Sequence, residues 1–263
     1  MCIKRHLARW PVFAVHKAIE EYPRQVGNVT YSSFNEVFES YEDRVVFVHV
    51  GLSDINKALP GEPYEQVLRV LTDNFNSILA PGFTDYFKTS RVYSKRFSRP
   101  KHGSFNPLFL DDADYRTDDA CRSILVRGGY TFEGRDHHDT FSSNGCFAQL
   151  SEDDILLASI GTPWLVCSFL HYVEWKHRVP YVTKRSFEGV LFDGDGHHEI
   201  VQKTPYQDGL WRFNKLKLQR HWREHDIIDE YNLDGLRIFF ASLSEMEEFV
   251  SYKLQSDPYY LVT

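Results

Sequence analysis

Two residues one helical turn apart are the best-placed chemistry in this sequence. His171 and Glu174 fall at i and i+3 in SFLHYVEWKHRVPY, so a helix through them sets an imidazole and a carboxylate on one face. Such a pair is a base with the group that orients it, the minimum for moving a proton near neutral pH. A second source of a base is the polar loop His137-His138-Asp139-Thr140-Phe141-Ser142-Ser143-Asn144-Gly145, with Asp136 or Asp139 as the orienting partner. Cys146 follows Gly145 and offers a nucleophile, although a buried structural thiol is the simpler reading. The basic pair Lys184-Arg185 has the charge to grip phosphates, and His197-His198 reads as a solvated strand end. None of these histidines has a dedicated ligand spacing such as HExxH, so no metal is expected.

These side chains need a scaffold, and the apolar runs supply one. Arg44–Gly51 is almost wholly apolar and reads as a strand buried on both faces, ending in the turn Gly51-Leu52-Ser53-Asp54. Helical spacing follows over Tyr64–Asn74, then a second strand, Ser77–Thr84, broken by Pro81-Gly82. Strand, helix and strand make a βαβ unit with a parallel pair and a right-handed crossover. Further strands are expected at Ser123–Val126, Ile155–Gly161, Val179–Val182 and Arg237–Phe240, with a hairpin over Glu188–Val201. Short helices are expected at Val12–Glu21 and after Ser32 or Ser33 as N-cap, a polar surface helix over Asn214–Asn232 and an amphipathic one over Leu243–Leu254. Residues 85–120 are polar and aromatic with little periodicity, and are either a functional loop or irregular surface.

At 263 residues with 42% hydrophobic content, the chain can build a sizeable core, and it is read as one domain, 1–263. A net charge of −7 argues against non-specific nucleic-acid binding. The four cysteines, Cys2, Cys121, Cys146 and Cys167, form no CxxC pair, which argues against a disulfide framework or structural zinc. No apolar run reaches membrane-spanning length and the first residues do not read as a signal peptide, so a cytoplasmic setting without a membrane partner is expected.

The order of these motifs resembles the aminoglycoside 3-N-acetyltransferase family. The resemblance spans roughly residues 30–255. It rests on VFVHVGLSDI, ILAPGFT, the Arg122-Ser123 dipeptide, ILLASIG and SFLHYVEWKHRVPY. It looks closer to relatives found among polysaccharide and natural-product genes than to the resistance enzymes. It implies a mixed α/β fold with a largely parallel central sheet flanked by helices. It further implies acetyl-CoA across the strand ends and a small-molecule amine, an amino-sugar or aminoglycoside-like acceptor, beside it; a homodimer is possible. By that resemblance His49, Gly51, Leu52, Ser53, Pro81, Phe83 and Thr84 lie near the cofactor, as do Ser143, Asn144 and Gly145 of the 142–145 loop. Glu174, with His171, belongs to the catalytic or acceptor-binding set. The family's basic histidine is expected shortly after Arg122-Ser123, yet Ile124–Gly129 contains none. Either His171, His137 or His138 has taken over, or the chain binds a ligand or partner without catalysis; a metal-dependent hydrolase built on His137, His138, His171 and Glu174 is the remaining reading.

Overall fold

The computed structural model describes residues 10–22, 24–194, 196–207 and 211–262. Its centre is strand β1 (Val45–Val50), which pairs in parallel with β2 (Ser77–Pro81) on one side and β6 (Leu156–Ile160) on the other. Two helices, α3 (Leu52–Ala58) and α4 (Pro63–Asn74), cross from β1 to β2, preceded by α1 (Trp10–Glu21) and α2 (Tyr31–Glu39). This is the βαβ unit expected from the alternation of apolar runs. Antiparallel strands extend both flanks: β5 (Ile124–Gly128) and β4 (Tyr115–Arg116) beyond β2, β10 (Leu236–Ser242) and β9 (Asp229–Leu233) beyond β6. The sheet is therefore mixed, as expected, and its parallel part is the central three strands.

Alternation along these strands feeds two cores. Phe47, Leu79, Leu157 and Phe239 point to one face, under α7 (Cys146–Glu152), α8 (Leu170–Lys176), α9 (Lys215–Glu224) and α10 (Leu243–Ser256). Val46, Val48, Ile78, Ala80, Ala158 and Phe240 point to the other, against α2, α3, α4 and α6 (Phe105–Asp112). A separate three-stranded sheet stands beside the first. It is the long hairpin of β7 (Val182–Asp193) and β8 (Gly196–Gln207), with β3 (Val92–Ser94) paired in parallel to β7. Residues 85–120 carry β3, α6, β4 and the one-turn α5 (Phe87–Ser90), far more structure than their weak periodicity suggests.

Four local expectations change. The helix expected over Asn214–Asn232 ends at Glu224, because Asp226 takes a left-handed backbone (φ 52°) and the chain re-enters the sheet as β9. Asp234 and Gly235, both with positive φ, close the tight β9–β10 hairpin that an Asp-Gly pair favours. The N-cap of α2 is Thr30, whose Oγ1 accepts the Ser33 amide at 3.2 Å, in place of Ser32 or Ser33. The short strand expected at Val179–Val182 contributes only Val182, the first residue of β7, and the hairpin expected over Glu188–Val201 is longer at both ends.

The carboxyl ends of β1 and β6 meet at two glycines. A Cβ on Gly51 would lie 2.5 Å from the Gly161 carbonyl oxygen, and one on Gly161 equally close to that of Gly51. Gly161 also holds φ +68°, a conformation costly for other residues. With no side chain on either glycine, the two strand ends approach closely beside the space where α/β folds put their ligands. Gly51→Ala should therefore lower unfolding stability by about 1–3 kcal/mol through overpacking, read from the urea midpoint; an unchanged midpoint would show that the two strand ends move apart freely.

Candidate active site

The loop 162–169, after β6, folds back over these strand ends. Ser159 Oγ lies 2.7 Å from Thr162 Oγ1 and accepts the Val166 amide at 3.1 Å, while the Leu165 amide bonds Gln219 Oε1 on α9 at 2.9 Å. The Ser168 amide donates to His49 Nε2 at 3.3 Å, and Ser168 Oγ lies 3.2 Å from the same nitrogen. The loop delivers the chain into α8 with His171 at the cleft and Glu174 beneath it.

Glu174 is 0% exposed. A carboxylate removed from water needs hydrogen-bond partners. Its Oε2 lies 2.8 Å from His171 Nδ1, and its Oε1 accepts from Gln207 Nε2 at 3.4 Å. With Nδ1–H directed at the carboxylate, His171 presents Nε2 as the lone-pair nitrogen. The imidazole stacks on Phe213, with ring centres 4.8 Å apart, which fixes its plane. Beside Glu174, burial first and the carboxylate second push the Tyr181 phenol up, so it stays neutral.

His171 lines two adjoining cavities. One, about 480 Å³, lies off the strand ends and is bounded by His49, Gly51, Pro81, Phe83, Cys167, Ser168, Leu218 and Trp222, with Arg122 and Lys215 as its cations. The other, about 340 Å³, runs from His171 and Glu174 to Phe141, Tyr206 and Trp211, with Asp85, Lys88, Arg122 and Arg212 on its walls. His102 and Arg122 border both. The Arg122 guanidinium packs on Phe83 at 4.8 Å. Its neighbour Ser123 is structural: Ser123 Oγ donates to the Gly82 carbonyl at 2.8 Å and accepts from Arg116 Nε at 2.9 Å. Buried Arg116 also bonds the Gly82, Lys95 and Ser98 carbonyls, stapling the Pro81–Phe83 turn to the following segment.

The cleft thus gathers His49, Gly51, Pro81, Phe83 and His171 with Glu174 below. Other anticipated residues lie elsewhere. Leu52 is buried in the core on the far side of the sheet, Ser53 is exposed on α3, and the Thr84 hydroxyl is buried against the Ala120 carbonyl at 2.6 Å. Ser143 lines a different groove with Trp175 and Lys184, and Asn144 is exposed at a turn closed by Gly145 N–H to the Ser142 carbonyl. His137 and His138 do not border the His171 cleft: His137 Nδ1 accepts the Asp118 amide at 2.9 Å, which removes that nitrogen as a base, and His138 Nδ1 is buried. Cys146 is 5% exposed, and burial pushes its thiol up, away from nucleophilic use. Lys184 pairs with Asp139, and Arg185 lies 3.8 Å over the Tyr206 ring. His197 and His198 are exposed on β8, and Cys2 lies outside the described residues. The sequence reading missed Asp85, Lys88, His102 and Phe213 because aperiodic segments hold them.

No protein-family model matches the chain, and no curated protein matches it. Solved structures do. AAC-IIIb in a binary complex with CoASH superposes with TM-score 0.73 at 12% identity, covering 88% of this chain and 97% of that one. The YokD protein of Bacillus subtilis gives 0.68 at 14%, covering 87% and 100%, and aminoglycoside acetyltransferase AAC(3)-Xa gives 0.68 at 14%, covering 88% and 94%. The fold is that of the aminoglycoside 3-N-acetyltransferases, as the motif order suggested.

His49 carries a stability consequence of this architecture. Desolvation lowers its pKa to about 3, so folded protein keeps it neutral while the unfolded chain protonates near the ordinary histidine value of 6.5. The unfolded state then binds more protons as pH falls from 6.5 toward 3, and stability is lost across that window. His49→Gln should flatten the fall of melting temperature between those limits, measured by scanning calorimetry; an equal fall in both proteins would contradict a neutral imidazole in the folded protein.

Proposed function

We propose that the chain is a coenzyme-A-dependent N-acyltransferase, carried by one domain, in which His171 is the base and Glu174 holds it. The observation that carries this reading is the buried Glu174 carboxylate 2.8 Å from His171 Nδ1 at the junction of two cavities. An amine is mostly protonated near neutral pH and attacks only after losing a proton, so acyl transfer needs a base at the acceptor.

The residues present fit the acyl donor. The larger cavity is walled by Pro81, Phe83, Leu218 and Trp222, suited to a pantetheine arm, and Lys215 and Arg122 offer charge for phosphates. Acetyl-coenzyme A, when bound there, would supply the acetyl group as an activated thioester, the new amide bond replacing the C–S bond and the coenzyme A thiol leaving. His171 Nε2 takes the proton from the acceptor amine, and Glu174 stabilises the imidazolium and holds the ring through Nδ1–H. Phe213 keeps the ring plane fixed meanwhile. The neighbouring acetyltransferases support this reading, since AAC-IIIb was solved with CoASH in place. An amino-sugar is the acceptor we favour, of the kind handled in polysaccharide or natural-product assembly, because Phe141, Tyr206 and Trp211 offer flat apolar walls.

The absence of a histidine after Arg122-Ser123 does not count against catalysis. That segment is β5, whose Ile124, Leu125 and Val126 are buried in the sheet, and His171 stands at the cleft. A hydrolase built on His137, His138, His171 and Glu174 lacks support, since His137 and His138 border neither cavity; among the described residues no three His, Cys, Asp or Glu side chains are grouped to hold a metal. Nor is any helix of the described residues long and apolar enough to cross a membrane.

Thiol release from acetyl-CoA with glucosamine as acceptor tests the assignment. His171→Ala should lower kcat by roughly 10²- to 10⁴-fold while CoA still binds by calorimetry. Glu174→Gln should lower kcat in the same direction; full activity in either variant would remove this pair from the chemistry.

A further inference from the structure

The walls of the smaller cavity carry a charge pattern that bears on its acceptor. Among the described residues its two carboxylates are already committed. Glu174 is buried and bonded to His171. Asp85 is surrounded by Lys88 at 2.9 Å, His102 at 3.3 Å and Lys101 at 3.5 Å. The His102 hydrogen bond foremost, with Lys88 and Arg122 adding, holds its carboxyl well below the usual range against the opposing effect of burial.

The cations are not balanced in the same way. Arg122 packs on Phe83, and among the described residues no carboxylate lies within ion-pair distance of it or of Arg212. Arg185 adds a further positive charge behind Tyr206, over whose ring it sits at 3.8 Å. A polycationic aminoglycoside would meet guanidinium groups here that have no carboxylate at ion-pair distance and, among the described residues, no free carboxylate, and like-charge juxtaposition is costly. A planar guanidinium instead matches a carboxylate or phosphate oxygen pair.

We propose that the acceptor is an amine that also bears an anionic group, a carboxylate or a phosphate, held by Arg122 and Arg212 while its amine faces His171. The inference rests on the acyltransferase reading for the amine's role; the anion preference itself rests on the cavity walls. Arg122 reaches the larger cavity as well, so an anion on the donor is the competing claimant, and Arg212, which borders only the acceptor side, separates the two.

The test is calorimetric titration with a glucosamine phosphate, galactosaminuronate, glucosamine and kanamycin, on CoA-free and CoA-saturated protein. At least one of the two anionic amino-sugars should bind about tenfold or more tightly than glucosamine, and which one does so identifies the anion. Arg212→Gln, at an exposed position where folding is not at risk, should erase most of that preference, and Arg122→Gln should do likewise. Kanamycin binding more tightly than both anionic sugars, or a preference untouched by Arg212→Gln, would overturn the proposal. Failure of CoA to bind, or absence of acetyl transfer to any amine, would instead overturn the acyltransferase reading; the charge preference would still be read from the CoA-free titrations.

Discussion

A carboxylate with no access to water is the constraint around which this molecule is arranged. Glu174 sits inside the α8 layer, where an uncompensated charge would cost several kcal/mol. Its principal partner is His171, one turn earlier on the same helix. The hydrogen bond that satisfies the acid therefore also selects the tautomer of the histidine and aims its other nitrogen at the cleft. In the proposed reaction one contact serves both stability and chemistry, and Gln207 at the end of β8 supplies a further donor to the carboxylate. The long hairpin is thereby tied to the site as well as to its own sheet.

The position of that contact depends on the central three strands. Within the seven-stranded sheet the described pairing is parallel only there, so only there do neighbouring carboxyl ends of that sheet open on the same side. Gly51 and Gly161 let two strand ends approach closely beside the cleft, and the loop after β6 carries His171 across it through the bonds of Ser159 and Ser168. The Arg116 network does the equivalent work for the Pro81–Phe83 turn. Cavity, proposed base and cation thus come from different stretches of chain whose meeting is dictated by sheet order.

Much of this was legible in the sequence, for identifiable reasons. The strands of the central sheet are continuous apolar runs because both faces are covered, and such runs announce themselves. His171 and Glu174 were legible because helical spacing puts i and i+3 together whatever the tertiary structure does. What sequence could not place were residues brought in by aperiodic chain. Asp85, Lys88 and His102 lie in a segment ordered by Arg116 and by pairing of β3 with a distant hairpin, interactions with no local signature. The loop histidines misled for the converse reason: a cluster of His and Asp looks chemical, while His137 Nδ1 is consumed by a backbone amide, and His138 has its Nδ1 buried and its carbonyl bonded to the Lys203 amide of β8. Asn214–Asn232 misled because its polar helical spacing hid a left-handed turn at Asp226 and an edge strand after it.

The central claim is that His171 meets the cofactor cleft through Nε2 with Nδ1–H held by Glu174. Long-range nitrogen–proton correlation spectra of histidine-labelled protein, recorded with and without coenzyme A, test it most directly. The account predicts that His171 is protonated at Nδ1 and bare at Nε2, and that its Nε2 signal moves when coenzyme A is added. A proton on Nε2 in the neutral ring, or signals indifferent to millimolar coenzyme A, would contradict it.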